Sequence, residues 1–96
     1  MKPFRLVNLD NRHGAFKDGY THAIRFERYQ FSNSKYDANN VEQKCKDYFG
    51  PQSWVRRSDR ANWHAEFGAK SRSYGSTPYW IYFRKESDLC FIMLGM

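Results

Sequence analysis

Residues 79–85 read Tyr79-Trp80-Ile81-Tyr82-Phe83-Arg84-Lys85, and the reading of this stretch decides the fold. Alternation places Tyr79, Ile81 and Phe83 on one side and Trp80, Tyr82 and Arg84 on the other, the pattern of a strand with one face in a core. The second face is then aromatic and basic. Downstream, Glu86-Ser87-Asp88 reads as a short polar turn, and Leu89 to Leu94 as the return strand of a hairpin. Both alternating faces of Leu89 to Leu94 are apolar, which predicts a central strand covered on both sides.

Working back along the chain, Trp63 to Phe67 and Trp54 to Arg57 read as further strands, although Ala61 to Gly68 would also suit a helical turn. Gly68 to Pro78 is a long loop. A helix is signalled over about residues 40–49: Asn39 and Glu42 have the spacing of a capping box, Val41, Cys45, Tyr48 and Phe49 form one apolar stripe, and Gly50-Pro51 stops the helix. Near the start, Phe4 to Leu9 alternates like a strand, and Asp18-Gly19 is a tight-turn dipeptide before Tyr20 to Phe31, giving a first antiparallel pair. The expectation is a single α+β domain over residues 1–96, with an antiparallel sheet of five to six strands and one amphipathic helix packed on one face.

The chain has 96 residues, 41% hydrophobic and 19% aromatic, with net charge +6. That length holds one modest core, which large side chains complete. Between Arg56 and Lys85 seven basic residues face two acidic ones, so most of the excess charge sits in thirty residues. Such a field attracts polyanions: nucleic acid, a nucleoprotein complex or an acidic protein surface. An aromatic-basic strand face adds base stacking to phosphate contacts. The binding surface is assigned to Arg56, Arg57, Arg60, Lys70, Arg72, Trp80, Tyr82 and Arg84. The apolar Leu89 to Leu94 run equally suits a protein surface or a homodimer. No apolar run approaches the ~20 residues of a membrane span, and Met1 to Arg5 is not followed by a signal-peptide core, so a cytoplasmic location without membrane contact is expected.

Catalysis has one foothold. On a strand, His64 and Glu66 share a face about 7 Å apart, and with a nearby arginine they would supply the base, acid and cation of metal-independent RNA cleavage. Cys45 and Cys90 are far apart in the chain and read as small buried hydrophobes of a reducing compartment, with a single disulfide between them left open. The three histidines have no metal-ligand spacing and no phosphate-binding glycine motif is present, so no metal and no cofactor are expected.

In size, aromatic richness and lack of catalytic motifs, the chain resembles the small proteins with which bacteriophages disable host machinery, anti-CRISPR proteins among them. It departs from their acidic DNA-mimic members. The resemblance rests on composition, assigns no residue, and implies an inhibitor that occupies a surface. Three functions follow: a non-catalytic binder of nucleic acid or nucleoprotein, a protein-directed inhibitor of the phage type, and a small ribonuclease or toxin.

Overall fold

The computed structural model describes residues 4–27, 29, 37–50, 62–68 and 77–94. Four strands, β1 (Phe4–Asn8), β2 (His22–Phe26), β3 (Trp63–Phe67) and β4 (Tyr79–Phe83), form one antiparallel sheet in the order β1-β2-β4-β3. The helices among the described residues are α1 (Gly14–Lys17), α2 (Ala38–Phe49) and α3 (Glu86–Leu94). The α+β class and the antiparallel sheet with a helix across it are as the sequence predicts. Among the described residues the sheet has four strands rather than five to six, and the predicted strand Trp54 to Arg57 lies outside them.

The correction falls on residues 86–94. The predicted hairpin is a helix: the Asp88 and Leu89 amides donate to the Lys85 carbonyl, and Glu86 and Asp88 occupy the first turn, where carboxylates favour the helix dipole. Leu89 and Ile92, three residues apart, are buried, whereas Cys90, Phe91 and Leu94 are exposed. A short, wholly apolar run has no period from which to tell strand from helix.

Helix α2 lies where its stripe requires, with Ala38, Val41, Glu42 and Cys45 buried. It begins two residues earlier than the capping-box reading places it, with Asp37 rather than Asn39 at the N-cap position, and Glu42 turns inward rather than back to a cap. Tyr48 is outside the stripe, 61% exposed, with its ring edge-on to Phe91 at 5.0 Å. Gly50 ends the helix at φ 81°, a value that favours glycine, and its carbonyl accepts from the Trp63 indole at 3.0 Å.

The register makes the sheet's two faces explicit. Phe4, Leu6, Ile24, Phe26, Tyr79, Ile81, Phe83, Trp63 and Ala65 share the face under α2 and α3. Helix α2 lies against β3, and α3 against β2 and β4, so edge strand β1 is only partly covered and its Leu6 stays 53% exposed. The two cysteines are free, Cys45 buried and Cys90 exposed, which removes the disulfide alternative and corrects the expectation for Cys90. Burial, with the carboxylates of Glu42 and Asp88 nearby, pushes the Cys45 thiol up to about 12.

Candidate binding surface on the open sheet face

The opposite face is ordered in cross-strand rows. Arg5, Arg25, Trp80 and Glu66 form one row, and Val7, Ala23, Tyr82 and His64 the next. Residues 9–20 cover the second row. Leu9, Ala15 and Tyr20 pack with Ala23 and Tyr82 into a small second core, leaving Trp80 at its partly exposed margin. Here the predicted parity of 79–85 holds, and Trp80 and Tyr82 do share a face. They are parallel, 5.8 Å apart at 14°, and the His64 ring continues the series beyond Tyr82 at 6.3 Å and 5°.

Arg84 belongs to the cover. Its Nη1 donates to the Asp18 carbonyl at 2.7 Å and its guanidinium sits 4.2 Å from the Tyr20 ring centroid, clasping the chain reversal that follows α1. That reversal needs Gly19, which has φ 97° and no room for a Cβ beside Arg84 Nη1. Thr21 adds a second tie, its amide donating to the Phe83 carbonyl and its hydroxyl to the Arg84 carbonyl.

The first row remains open. Arg25 places its guanidinium 5.8 Å from the Trp80 ring while bonding Glu27 at 2.9 Å, and Arg5, directly across from it, is exposed. His13 meets the other margin of Trp80 edge-on at 6.2 Å. Gly68 fits against the indole so closely that an added Cβ would lie 2.6 Å from Nε1. The indole is therefore held in place on several sides.

The structure brings His64 and Glu66 together, with Nε2 to Oε2 at 3.5 Å. The imidazole is buried, only 5% exposed and packed between Tyr20 and Tyr82, so Glu66 is the more accessible member of the pair. Arg84 donates to the Asp18 carbonyl and lies over Tyr20. Arg56, Arg57, Arg60, Lys70 and Arg72 lie outside the described residues. Among the described residues no group of three or more His, Cys, Asp or Glu side chains is placed to hold a metal, and no helix is long and apolar enough to cross a membrane.

One cluster escaped the sequence reading altogether. Glu42 is buried between two hydroxyls: Tyr79 donates to Oε1 at 2.7 Å and Tyr29 to Oε2 at 3.3 Å, with Tyr29 also reaching Asn39 at 3.0 Å. Burial first, and the neighbouring carboxylate second, raise both phenols above their usual range. The available signal was position, since Glu42 stands four residues after Ala38 and three before Cys45 on the buried stripe. No protein-family model, curated protein or solved structure matches this chain.

Proposed function

We propose that the protein is a non-catalytic binding domain that engages nucleic acid, alone or within a nucleoprotein complex, through the open end of the second sheet face. The observation that carries this reading is the row of Arg5, Arg25 and Trp80: one guanidinium beside a partly exposed indole and a second on the next strand, at the end of a sheet face that residues 9–20 leave open. An aromatic with arginines on one side suits unpaired bases and their phosphates.

Charge placement supports it. The described residues hold eight basic against nine acidic groups, so the rest of the chain carries eight basic and one acidic. Phe4, Phe26, Tyr79 and Phe67 form one row at one end of the sheet. The stretches of chain that join that end, 1–3, 27–36 and 69–76, contain Lys2, Arg28, Lys35, Lys70 and Arg72 against one acidic residue, Glu27, which pairs with Arg25. Arg5 and Arg25 belong to the adjoining row. Arg56, Arg57 and Arg60 join the sheet at its other end, before Trp63, and extend the proposal as further phosphate contacts.

The test is binding of labelled single-stranded RNA, single-stranded DNA and duplex DNA at ~50 and ~200 mM salt, where phosphate contacts make affinity fall steeply. Salt-sensitive binding to single strands, weakened about tenfold or more by the Arg5→Glu, Arg25→Glu double variant with its fold intact, is the expected result. Absence of binding at both salts, or binding indifferent to those substitutions, overturns the reading. The protein-directed inhibitor then takes its place, favoured by the exposed Phe67 and Tyr48. The ribonuclease reading draws on the His64–Glu66 contact and has less support, because the imidazole is covered.

A further inference from the structure

Strand β1 is an edge of the sheet, and its backbone parity shows which hydrogen-bonding groups it leaves unused. The Leu9 amide donates to the Thr21 carbonyl at 2.9 Å, and in an antiparallel pair the bonded positions alternate. Arg5 and Val7 therefore bond to β2, whereas the N–H and C=O groups of Leu6 and Asn8 point away from the sheet and have no partner among the described residues. Both residues are exposed. No proline or bulge interrupts the five residues of β1, two of the devices by which edge strands refuse a further strand.

The two faces of β1 leave different needs unmet. On the open face Arg5 lies directly across from Arg25, where like charges repel. Arg25 has Glu27 as its counter-ion at 2.9 Å, while Arg5 has no ion pair among the described residues. On the helix side Leu6 stays 53% exposed, because α2 lies against β3 and α3 against β2 and β4. A strand laid beside β1 completes both faces when a carboxylate stands across from Arg5 and an apolar side chain across from Leu6.

We infer that β1 is a docking edge for an extended acidic segment of another protein, which joins the sheet antiparallel to β1 with acidic and apolar residues alternating. Backbone bonds to Leu6 and Asn8 hold the segment, and the side chains select it: carboxylates toward Arg5, apolar groups toward Leu6. Charge separates this occupant from a second copy of the chain. Two β1 strands paired about Leu6 set a second unbalanced arginine on the same face, between chains of net charge +6 each. An acidic strand removes the imbalance instead. The inference does not rest on nucleic-acid binding, and Arg5 is the residue that the two surfaces share.

The probe is the capped peptide Thr-Val-Glu-Val-Glu-Val-Thr, titrated to ~5 mM into the isotope-labelled full chain while amide spectra are recorded. The expected result is saturable movement of the Leu6 and Asn8 amide signals with a dissociation constant of about 1 mM or below. The same peptide with Lys in place of Glu should bind about tenfold more weakly or less. Asn8→Pro removes an outward N–H and no bond to β2, so it should weaken binding about tenfold, while Asn8→Ala, which keeps the N–H, should bind as wild type. Methylation of the peptide's valine nitrogens, which face Leu6 and Asn8 in this pairing, should abolish binding, and methylation of its glutamate nitrogens, which face away, should not. The methylated pair keeps the test decisive should Asn8→Pro lose its fold. Unmoved Leu6 and Asn8 signals overturn the proposal, as does undiminished binding of the Lys peptide or of the valine-methylated one. Movement of the same signals on concentrating the chain alone, with the peptide unable to reverse it, gives the edge to a second copy and overturns the proposal as well.

Discussion

The two faces of one sheet are closed by different means. Under the helices the closure is by volume: Trp63, Phe26, Phe83, Ile24, Ile81, Ile92, Val41 and Cys45 are all under 2% exposed and interdigitate as a packed core. On the other face a smaller core around the fully buried Tyr20 is held by tethers as well, residues 9–20 being drawn onto Tyr82 by an arginine clasp and two bonds from Thr21. Packing spreads its contribution over many contacts, each replaceable at moderate cost. A tether concentrates it in a few polar atoms, and it leaves the margin beyond its reach open. The candidate binding row lies at that margin.

The comparison can be broken most forcibly at Trp63. Trp63→Ala empties the largest fully buried site and removes the indole bond to Gly50, and should cost ~3–5 kcal/mol in urea titration. A loss below 1 kcal/mol would show that the helix-side core is not what holds the sheet. Arg84→Ala should cost about 2–3 kcal/mol, from a charged hydrogen bond and a cation over an aromatic ring. Its signature differs in kind: amide exchange should quicken across residues 9–20 while the α2 amides keep their protection. Uniform loss of protection would erase the distinction between tether and packing.

The smallest effect sharpens the helix side. Tyr79→Phe deprives buried Glu42 of its shortest hydrogen bond and should cost ~1–2 kcal/mol near neutral pH. Burial and Glu42 raise the Tyr79 phenol, so the folded chain holds its proton more tightly than the unfolded chain. That stabilisation is fully present below pH ~10, the unfolded tyrosine value, and is lost progressively as pH rises toward the folded value. Denaturant titrations above pH 10 should therefore show a steeper loss for wild type than for Tyr79→Phe. Equal slopes would mean that the proton is not shared as the geometry shows.

Legibility followed the same division. The parity of Tyr79 to Phe83 was readable from the alternation of its side chains, and that of Trp63 to Phe67 from the two-residue spacing of His64 and Glu66. The α2 stripe was readable because helix and stop signals agreed. Leu89 to Leu94 misled because an apolar run carries no period, and its helix is set by Lys85 to Asp88 and by packing. Glu42 read as a cap because a carboxylate at that spacing usually is one; its partners Tyr29 and Tyr79 come from distant chain. Arg84 read as a free cation for the same reason. Strand parity named its face and left unsaid that residues 9–20 would cover it. The open row was half legible: Trp80 was found, while Arg5 and Arg25 needed the strand order.

That strand order also sets a timetable. Thr21 bonds Arg84 across 63 residues, and Arg84 reaches back 66 residues to Asp18. During synthesis the β1–β2 pair emerges early, yet its central neighbour β4 and the clasp are made almost last. Until then Ile24 and Phe26, paired with Leu6 and Phe4 of β1, lack β4 on their other side and the cover of α3, and loop closure of this length slows the final docking. The nascent N-terminal half is thus the aggregation-exposed stage of this protein's life, ended by the arrival of residues 79–94.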